Sequence, residues 1–339
     1  MTDDLQPVSD PDKPHLICAY LLDGKGHGKE LDGIALGKWK PEDGTLWAHF
    51  DALNELTEVW LSEHASLDPL IVDSLLTKET RPRCEPHGDG VLVILRGVNL
   101  NPNADPEDMV SIRLWVDGHR ILSTRLRPLM AIEDIRAQIG IGKGPGSSGH
   151  FVARLAWQLA ERMGPVIQGL SDQMAEIEDN LDNANTHQKV ELRDIRHPLL
   201  DLRRTTITLR RYLAPQRDAI STMSLLDEEW IDTRTKNRFR EVMDRLSRIT
   251  EELDEIRERS LVVQDELANR ISHRMEKTMY VLTIVATVML PLGLATGLLG
   301  INVGGIPGAE TSWAFWVVCL GLLGIAGMEV WIFRRLGWL

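Results

Sequence analysis

Met279 to Asn302, MYVLTIVATVMLPLGLATGLLGIN, carries about 20 consecutive apolar residues and no charged one. At roughly 1.5 Å per residue such a helix spans the roughly 30 Å hydrocarbon core of a bilayer. The run is internal and follows a long charged stretch with helical spacing, so it is not a secretory signal peptide. A second apolar run, Trp313 to Phe333, follows after a short loop, Gly300 to Ser312, whose one charge is Glu310. So short a link predicts an antiparallel hairpin with both ends on one side of the membrane. His273, Arg274 and Lys277 precede the first run, Arg334 and Arg335 follow the second, and the loop has no Lys or Arg. Positive residues stay inside, which predicts that both termini are cytoplasmic. Trp313 and Trp316 at one end of the second run, and Trp331 and Trp338 at the other, suit the two interfacial belts.

The rest of the 339 residues leaves room for a domain outside the membrane and a helical region. A formal net charge of −12 argues against nucleic acid as a partner. An acidic surface suits metal cations, and it is also an ordinary way to stay in solution. The three cysteines, Cys18, Cys84 and Cys319, are scattered without a C-x-x-C, which gives no disulfide framework and no zinc-ribbon spacing.

Residues 1–14 read as a loose terminus. HLICAYLLDG from His15 reads as a strand, and Gly24, Gly26 and Gly28 as a hairpin turn, since no helix follows to make them a dinucleotide fingerprint. TLWAHFD is a short strand, and Leu53–Ala65 and Asp68–Thr77 have helical spacing. Val91–Val98, Met109–Val116 and Arg120–Leu126 are β-branched runs parted by Pro, Asn, Asp and Gly, the pattern of an antiparallel meander. Met130–Ile139 is helical, and GIGKGPGSSG is a flexible break whose order is wrong for a phosphate loop. Helix signals then dominate. Phe151–Leu181 reads as one helix, Lys189–Leu213 returns with Pro198 as a kink, and Pro215 marks a boundary.

From Leu225 the pattern stays helical into the first apolar run, a length of about 110 Å. Phe239, Val242, Leu246, Ile249, Leu253 and Ile256 alternate three- and four-residue steps, as in coiled coils. A helix that long needs partners, and the simplest are copies of itself. The fold class expected is therefore an α+β cytoplasmic domain, a very long stalk helix and a two-helix C-terminal transmembrane hairpin, assembled as a homo-oligomer. The boundaries are 1–149 for the α/β domain, 150–224 for the helical region and 225–278 for the stalk. Then come 279–300 for the first span, 301–312 for the external loop, 313–333 for the second span and 334–339 for a basic cytoplasmic tail.

Two spans cannot enclose a hydrated pore alone, but a ring of chains can. Gly293, Leu290, Ala286, Leu282, Met279, Met275, Ser272, Ala268 and Asp265 form one heptad-like stripe on the long helix. A mostly apolar pore restricts flow by dewetting, while rings of carboxylates attract cations. The same residues suit packing against neighbouring helices, and spacing alone does not choose. Asn302 ends the first span, where its amide oxygen, repeated around a ring, suits the waters of a hydrated cation; it suits a helix C-cap equally. Gly300 allows the turn there, and Glu310 suits a cation-gathering role at the mouth.

These features together resemble the CorA metal-ion transporter superfamily, and within it the ZntB zinc transporter branch. The resemblance covers essentially the whole chain and rests on GLLGINVGGIPG, RGVNLNPNADPEDMVSIRLW and the RRLGWL tail. It implies a homopentameric funnel whose first spans line the pore, in the cytoplasmic (inner) membrane. It implies Gly300, Ile301 and Asn302 as the external selectivity loop, where magnesium-transporting members usually carry Gly-Met-Asn. An inner gating carboxylate falls on Asp265, apolar constrictions on Leu290, Leu282 and Met279, and a small pore position on Gly293, where many magnesium members have threonine. It implies Zn²⁺ as the transported ion, with proton-coupled uptake. The stripe itself offers no His or Cys, the ligands bare Zn²⁺ favours, so a hydrated ion suits it better than dehydrated zinc. His87, His187, His197 and His273 show no ligand spacing. Partners are the lipid bilayer, further copies of the chain and Zn²⁺, with Mg²⁺, Co²⁺ and H⁺ as further candidates. A CorA-like Mg²⁺ or Co²⁺ channel is the alternative transporter, and a membrane-anchored sensor or scaffold the alternative class. No nucleophile–base set and no HExxH motif points to an enzyme, and no cofactor is implied.

Overall fold

The structure is a computed structural model that describes residues 15–78, 80–183, 192–301, 308 and 311–335. The chain divides into two units, Met1–Gln264 and Asp265–Leu339.

In the first unit, the described strands are β1 Leu16–Leu22, β2 Gly28–Glu30, β3 Thr45–Asp51, β4 Arg83–His87, β5 Gly90–Gly97, β6 Val110–Val116 and β7 Arg120–Arg125. They form one sheet in the order β2-β1-β3-β7-β6-β5-β4. The meander expected from the sequence is there, β5 to β6 to β7 antiparallel. The pairing of β3 with β7 is parallel, in register Trp47 to Ile121 and Phe50 to Thr124, and it joins two hairpin systems into one sheet. β4 was not expected. Pro86 sits within it, and a proline is tolerated there because β4 is the edge strand.

Both faces of the sheet are covered, which is why all seven residues of β6 are buried. On one face Phe50, Leu92, Ile94, Trp115 and Leu122 pack with Leu61, Ile71 and Leu75. Those three come from the segment of α1 Gly33–Leu36, α2 Glu55–Val59 with the π turn Trp60–His64 that follows it, and α3 Pro69–Leu76. On the other face Trp47 meets Phe151 at 4.8 Å between ring centroids. Phe151 belongs to α5 Ser148–Glu161, which follows α4 Met130–Gly140. Trp47 Nε1 donates to Ser123 Oγ at 2.9 Å, and His49 Nδ1 shares that oxygen at 2.9 Å. The glycine-rich stretch after α4 is not the flexible break expected. It lies backbone to backbone against the β1–β2 turn, with Gly144 N donating to Gly26 O at 2.8 Å. Gly26 has φ +105°, and a Cβ there would meet Gly142 O at 2.6 Å, so only glycine fits.

The remaining helices are α6 Gly164–Asn183, α7 Leu192–Leu225, α8 Thr233–Leu299 and α9 Ala314–Arg335. Three expectations change here. Phe151–Leu181 is two helices, because Pro165, in the first turn of α6, lacks the N–H that a helix continuous with α5 would need. Pro215 is not a boundary; it lies within α7, as does Pro198. The next residue, Gln216, is buried and its Oε1 accepts from Arg96 N at 2.6 Å, so the turn is held from outside the helix. The long helix starts at Thr233 and not at Leu225, because Asp232 Oδ1 accepts from Thr235 N at 2.7 Å and caps it. At 67 residues it is about 100 Å long.

The three-four stripe Phe239, Val242, Leu246, Ile249, Leu253, Ile256, Ser260 and Val263 is buried. It is covered inside one chain, contrary to the expectation that copies cover it. Arg259 pairs with Glu178 of α6 at 3.0 Å, Arg210 of α7 with Asp254 at 2.6 Å, and Arg245 with Glu161 of α5 at 2.6 Å, so α8 is flanked by its own neighbours in sequence.

His49 gives this unit a pH dependence. Burial, followed by the nearby Arg125, pushes its pKa from the ordinary 6.5 down to about 3. The folded chain therefore holds His49 neutral where the unfolded chain protonates it. Its contribution to stability is complete above pH 6.5 and is lost as pH falls from 6.5 toward 3. Between pH 7 and 5 the loss is about 2 kcal/mol. Denaturation curves at these two pH values should differ by that order for the native chain, and by clearly less for His49→Asn, which retains a polar partner for Ser123. Equal losses in both would rule out His49 as the source.

Candidate functional site

Among the described residues, α8 and α9 are the helices long and apolar enough to cross a membrane. In the second unit each carries one half-covered stripe. On α8 it is Ile284, Val288, Pro291, Leu292 and Ala295; on α9 it is Ala314, Val318, Cys319, Leu322, Ile325, Ala326 and Glu329. Both follow three- and four-residue steps, so each is one helix face.

The sequence-predicted stripe lies elsewhere on α8. Asp265, Ala268, Ser272, Met275, Met279, Leu282, Ala286, Leu290 and Gly293 are all exposed. Met279 is 65% exposed, Leu282 68% and Leu290 73%. At about 100° per residue this stripe is centred roughly opposite the half-covered face. Spacing alone left its direction open. From Ile271 to Thr283 every residue of α8 is exposed, so coverage picks no face there; from Ile284 to Ala295 it does, and Ala286, Leu290 and Gly293 lie on the face left bare. An open groove lined by Ser272, Met275, Met279 and Thr283 runs along part of it.

The chemistry of the stripe is apolar with a carboxylate at its lower end. Thr283, Thr287 and Thr296 hydroxyls donate back to the carbonyls of Met279, Thr283 and Leu292 at 2.8, 2.8 and 2.9 Å. They are satisfied within the helix, so they add little polarity to the face. Pro291 has no N–H, which removes one helical hydrogen bond in mid-span. At the outer end, Gly300 N donates to Thr296 O at 2.9 Å and to Gly297 O at 3.2 Å, closing the last turn. A Cβ on Gly300 would sit 3.1 Å from Thr296 O, so the residue suits a tight helix end. Ile301 follows, half exposed at 48%. Asn302 and Glu310 lie outside the described residues, as do His187 and Trp338.

No group of three or more His, Cys, Asp or Glu side chains among the described residues is placed to hold a metal ion. His87 lies 3.4 Å from Asp68, and His273 lies 3.5 Å from Glu276; neither pair gathers a third donor. His197 is exposed. Glu329 Oε2 is buried with no hydrogen-bond partner, and Arg335 stacks on Trp331 at 5.3 Å rather than reaching it. A buried oxygen of this kind is not visible in residue spacing. Trp313, Trp316 and Trp331 are exposed at the two ends of α9, as interfacial residues are.

The whole chain has counterparts of known kind. The family model described as "CorA-like Mg2+ transporter protein" matches residues 42–335. The divalent cation transporter CmaX of Pseudomonas aeruginosa is 42% identical over 338 residues, covering 99% of this chain and all of that one. The zinc transport protein ZntB of Pectobacterium carotovorum subsp. carotovorum is 33% identical over 324 residues, covering 95% of this chain and 96% of its own length. The solved structure of full-length CmaX superposes with a TM-score of 0.81 at 41% identity, over 97% of this chain and 100% of that one. The CorA magnesium transporter of Methanocaldococcus jannaschii shares the fold, with a TM-score of 0.77 at 20% identity over 95% of this chain and 99% of its own. The α+β unit, the long helix, the apolar C-terminal helix pair and the full-length matches make the chain a member of the CorA family of divalent cation transporters, a family of membrane transporters and not of enzymes.

Proposed function

We propose that the chain moves Zn²⁺ across the inner membrane, through a pore on the axis of a homopentamer, with both termini cytoplasmic. The observation that carries the pore is the bare stripe of α8 from Asp265 to Gly293, whose upper part, Ala286, Leu290 and Gly293, is set opposite the half-covered residues Ile284 to Ala295. A face left uncovered over this length needs water or other copies against it. A ring of copies provides both: helix packing at the sides of the stripe and a narrow axial channel in front of it. Met279, Leu282 and Leu290 then form apolar constrictions that dewet when narrow. Asp265 forms a carboxylate ring that raises the local cation concentration at the inner end. Gly293 leaves a wider, unlined level between the Leu290 constriction and the outer mouth.

At the outer mouth, Gly300, Ile301 and Asn302 are the selectivity loop. Amide oxygens of Asn302 accept hydrogen bonds from the waters of the entering ion, and Glu310 supplies negative potential nearby. Zinc as cargo is supported by the ZntB relatives, which are about one third identical along nearly the full chain. Uptake is coupled to protons in this reading. The stripe's own chemistry favours a second cargo reading, Mg²⁺ or Co²⁺, because it presents no His or Cys and suits an ion that keeps its water.

Flux of Zn²⁺, Mg²⁺ and Co²⁺ into proteoliposomes, with and without a pH gradient, separates the two. Zinc flux that rises with an inward proton gradient supports the first reading. Magnesium carried well and driven by voltage and concentration alone would replace it with the second. In the same assay Asn302→Ala should lower uptake at least about tenfold, the equivalent of little more than one net hydrogen bond, with the oligomer intact. Asp265→Lys should shift the dependence of flux on metal concentration; superimposable curves would remove Asp265 from the pathway.

A further inference from the structure

One cavity in the first unit differs from the rest of the chain in charge. It holds about 520 Å³ and lies where the turn after α3, strand β5, the end of β7 and the middle of α7 meet. Lys78, Arg81, Arg96, Arg127 and Arg211 line it, against the single described carboxylate of Asp108. Five cations to one anion stand out in a chain of formal net charge −12. Glu79, next to Lys78 in sequence, lies outside the described residues.

Two of the cations, Arg96 and Arg211, are held in place by groups that do not neutralise them. Arg96 gives Nε and Nη2 to Thr80 O at 3.1 and 2.8 Å, and Nη1 to Met109 O at 3.0 Å, so its partners are carbonyls. Its guanidinium lies 4.1 Å over the Tyr212 ring, and that of Arg211 lies 4.8 Å over the same ring. One aromatic ring thus gathers two like charges. Asp108 pairs with Arg127, Nη2 to Oδ1 at 3.0 Å, and so answers one cation only. Lys78 and Arg81 make no ion pair among the described residues.

Among the described residues two buried polar side chains, Thr80 in the cavity wall and Arg113 behind Thr77 and Lys78, are incompletely partnered. Thr80 lines the cavity, is 6% exposed, and its hydroxyl has no hydrogen-bond partner. Arg113, 0% exposed, gives Nη2 to Thr77 O at 2.6 Å and to Lys78 O at 3.2 Å, while its Nε and Nη1 donate to nothing. Burial and then repulsion from Arg96 lower the Arg113 pKa to about 10, and burial lowers that of Arg96. Both remain charged at neutral pH. Like charges collected in a half-buried place raise the energy of the unliganded site, and an anion with several negative charges lowers it.

We propose that this cavity binds a phosphate-chain anion, through the guanidinium and ammonium groups of Lys78, Arg81, Arg96, Arg127 and Arg211. Guanidinium forks match pairs of phosphate oxygens, which a lone carboxylate would use only once. Five cations call for several charged groups in a row, and the volume admits a chain of two or three phosphates. That chemistry belongs both to inorganic polyphosphate and to a nucleoside triphosphate. The ligand would tie β5 and the turn after α3 to α7, elements that meet at this cavity.

The test is isothermal titration of the full-length chain in detergent, in metal-free buffer, with tripolyphosphate, ATP and orthophosphate. Tripolyphosphate should bind, at least tenfold more tightly than orthophosphate, and more weakly as salt is raised. Equal affinity for ATP indicates that the phosphate chain alone is read; at least tenfold tighter ATP binding indicates the nucleotide as the source. Lys78→Glu combined with Arg81→Glu should weaken binding at least tenfold with melting temperature and oligomeric state unchanged, since neither residue has an ion-pair partner to lose among the described residues. No binding of tripolyphosphate or ATP overturns the proposal, as does equal affinity for orthophosphate or an unchanged affinity in the double variant. A change of assembly in that variant, without phosphate binding in the native chain, would instead make the cavity a contact between copies.

Discussion

Coverage of α8 on one face only is the constraint on which the rest of the structure depends. In the first unit its three-four apolar stripe is closed off by α5, α6 and α7 of the same chain. At roughly 1.5–3 kcal/mol for each fully buried large apolar side chain, this seam from Phe239 to Val263 is a major share of what fixes the helix there. In the second unit Ile284, Val288 and Ala295 are half-covered while the opposite face, Asp265 to Gly293, is bare. A helix cannot present an uncovered apolar face and a carboxylate indefinitely without something that suits both. The proposed axis shared with other copies suits both, since apolar residues would narrow the path and the carboxylate would meet water.

The chemistry of such a path follows from what it lacks. It has no imidazole or thiolate, and the threonine hydroxyls beside it are returned to the helix backbone. A cation passing it exchanges no ligands with the wall and must keep its hydration shell. In the proposed reading selection belongs to the mouth, where α8 closes its last turn at Gly300. Glu329 is the one carboxylate residue in α9, and its buried Oε2, without a partner among the described residues, sits on that helix's half-covered side. The basic cavity around Arg96 lies in the other unit and answers to a different chemistry, that of anions.

Much of this was legible in the residues because it depends on local period and composition. The charge-free run from Met279, the β-branched runs of β5, β6 and β7, and the three-four stripe from Phe239 each declare an element through its own side chains. Features set by distant partners were not legible. The parallel pairing of β3 with β7 joins residues some 75 positions apart, as the Trp47 to Ser123 hydrogen bond shows. β4 carries a proline that only its edge position permits. Pro215 stays helical because Gln216 and Arg96 brace that turn, which no local rule reports. Gly164-Pro165 and Asp232 did carry local signals, a helix break and an N-cap, and the longer apolar periodicity on either side masked them. At the candidate site, the residues of the stripe were legible from spacing, while its direction required knowing which face the chain itself covers. The basic cavity was invisible, since Lys78, Arg96, Arg127 and Arg211 are brought together only by the sheet and α7.

The central claim is that the bare face of α8 is the one that meets the permeating ion. Single cysteines placed in turn from Met279 to Ala295, in a chain with Cys18, Cys84 and Cys319 replaced by serine, test it in proteoliposomes with a charged, membrane-impermeant thiol reagent. The account predicts block of flux with a helical period, strongest at Met279, Leu282, Ala286, Leu290 and Gly293 and weakest at Ile284, Val288 and Ala295. Block centred on Ile284 and Val288, with the stripe unreactive, would contradict it.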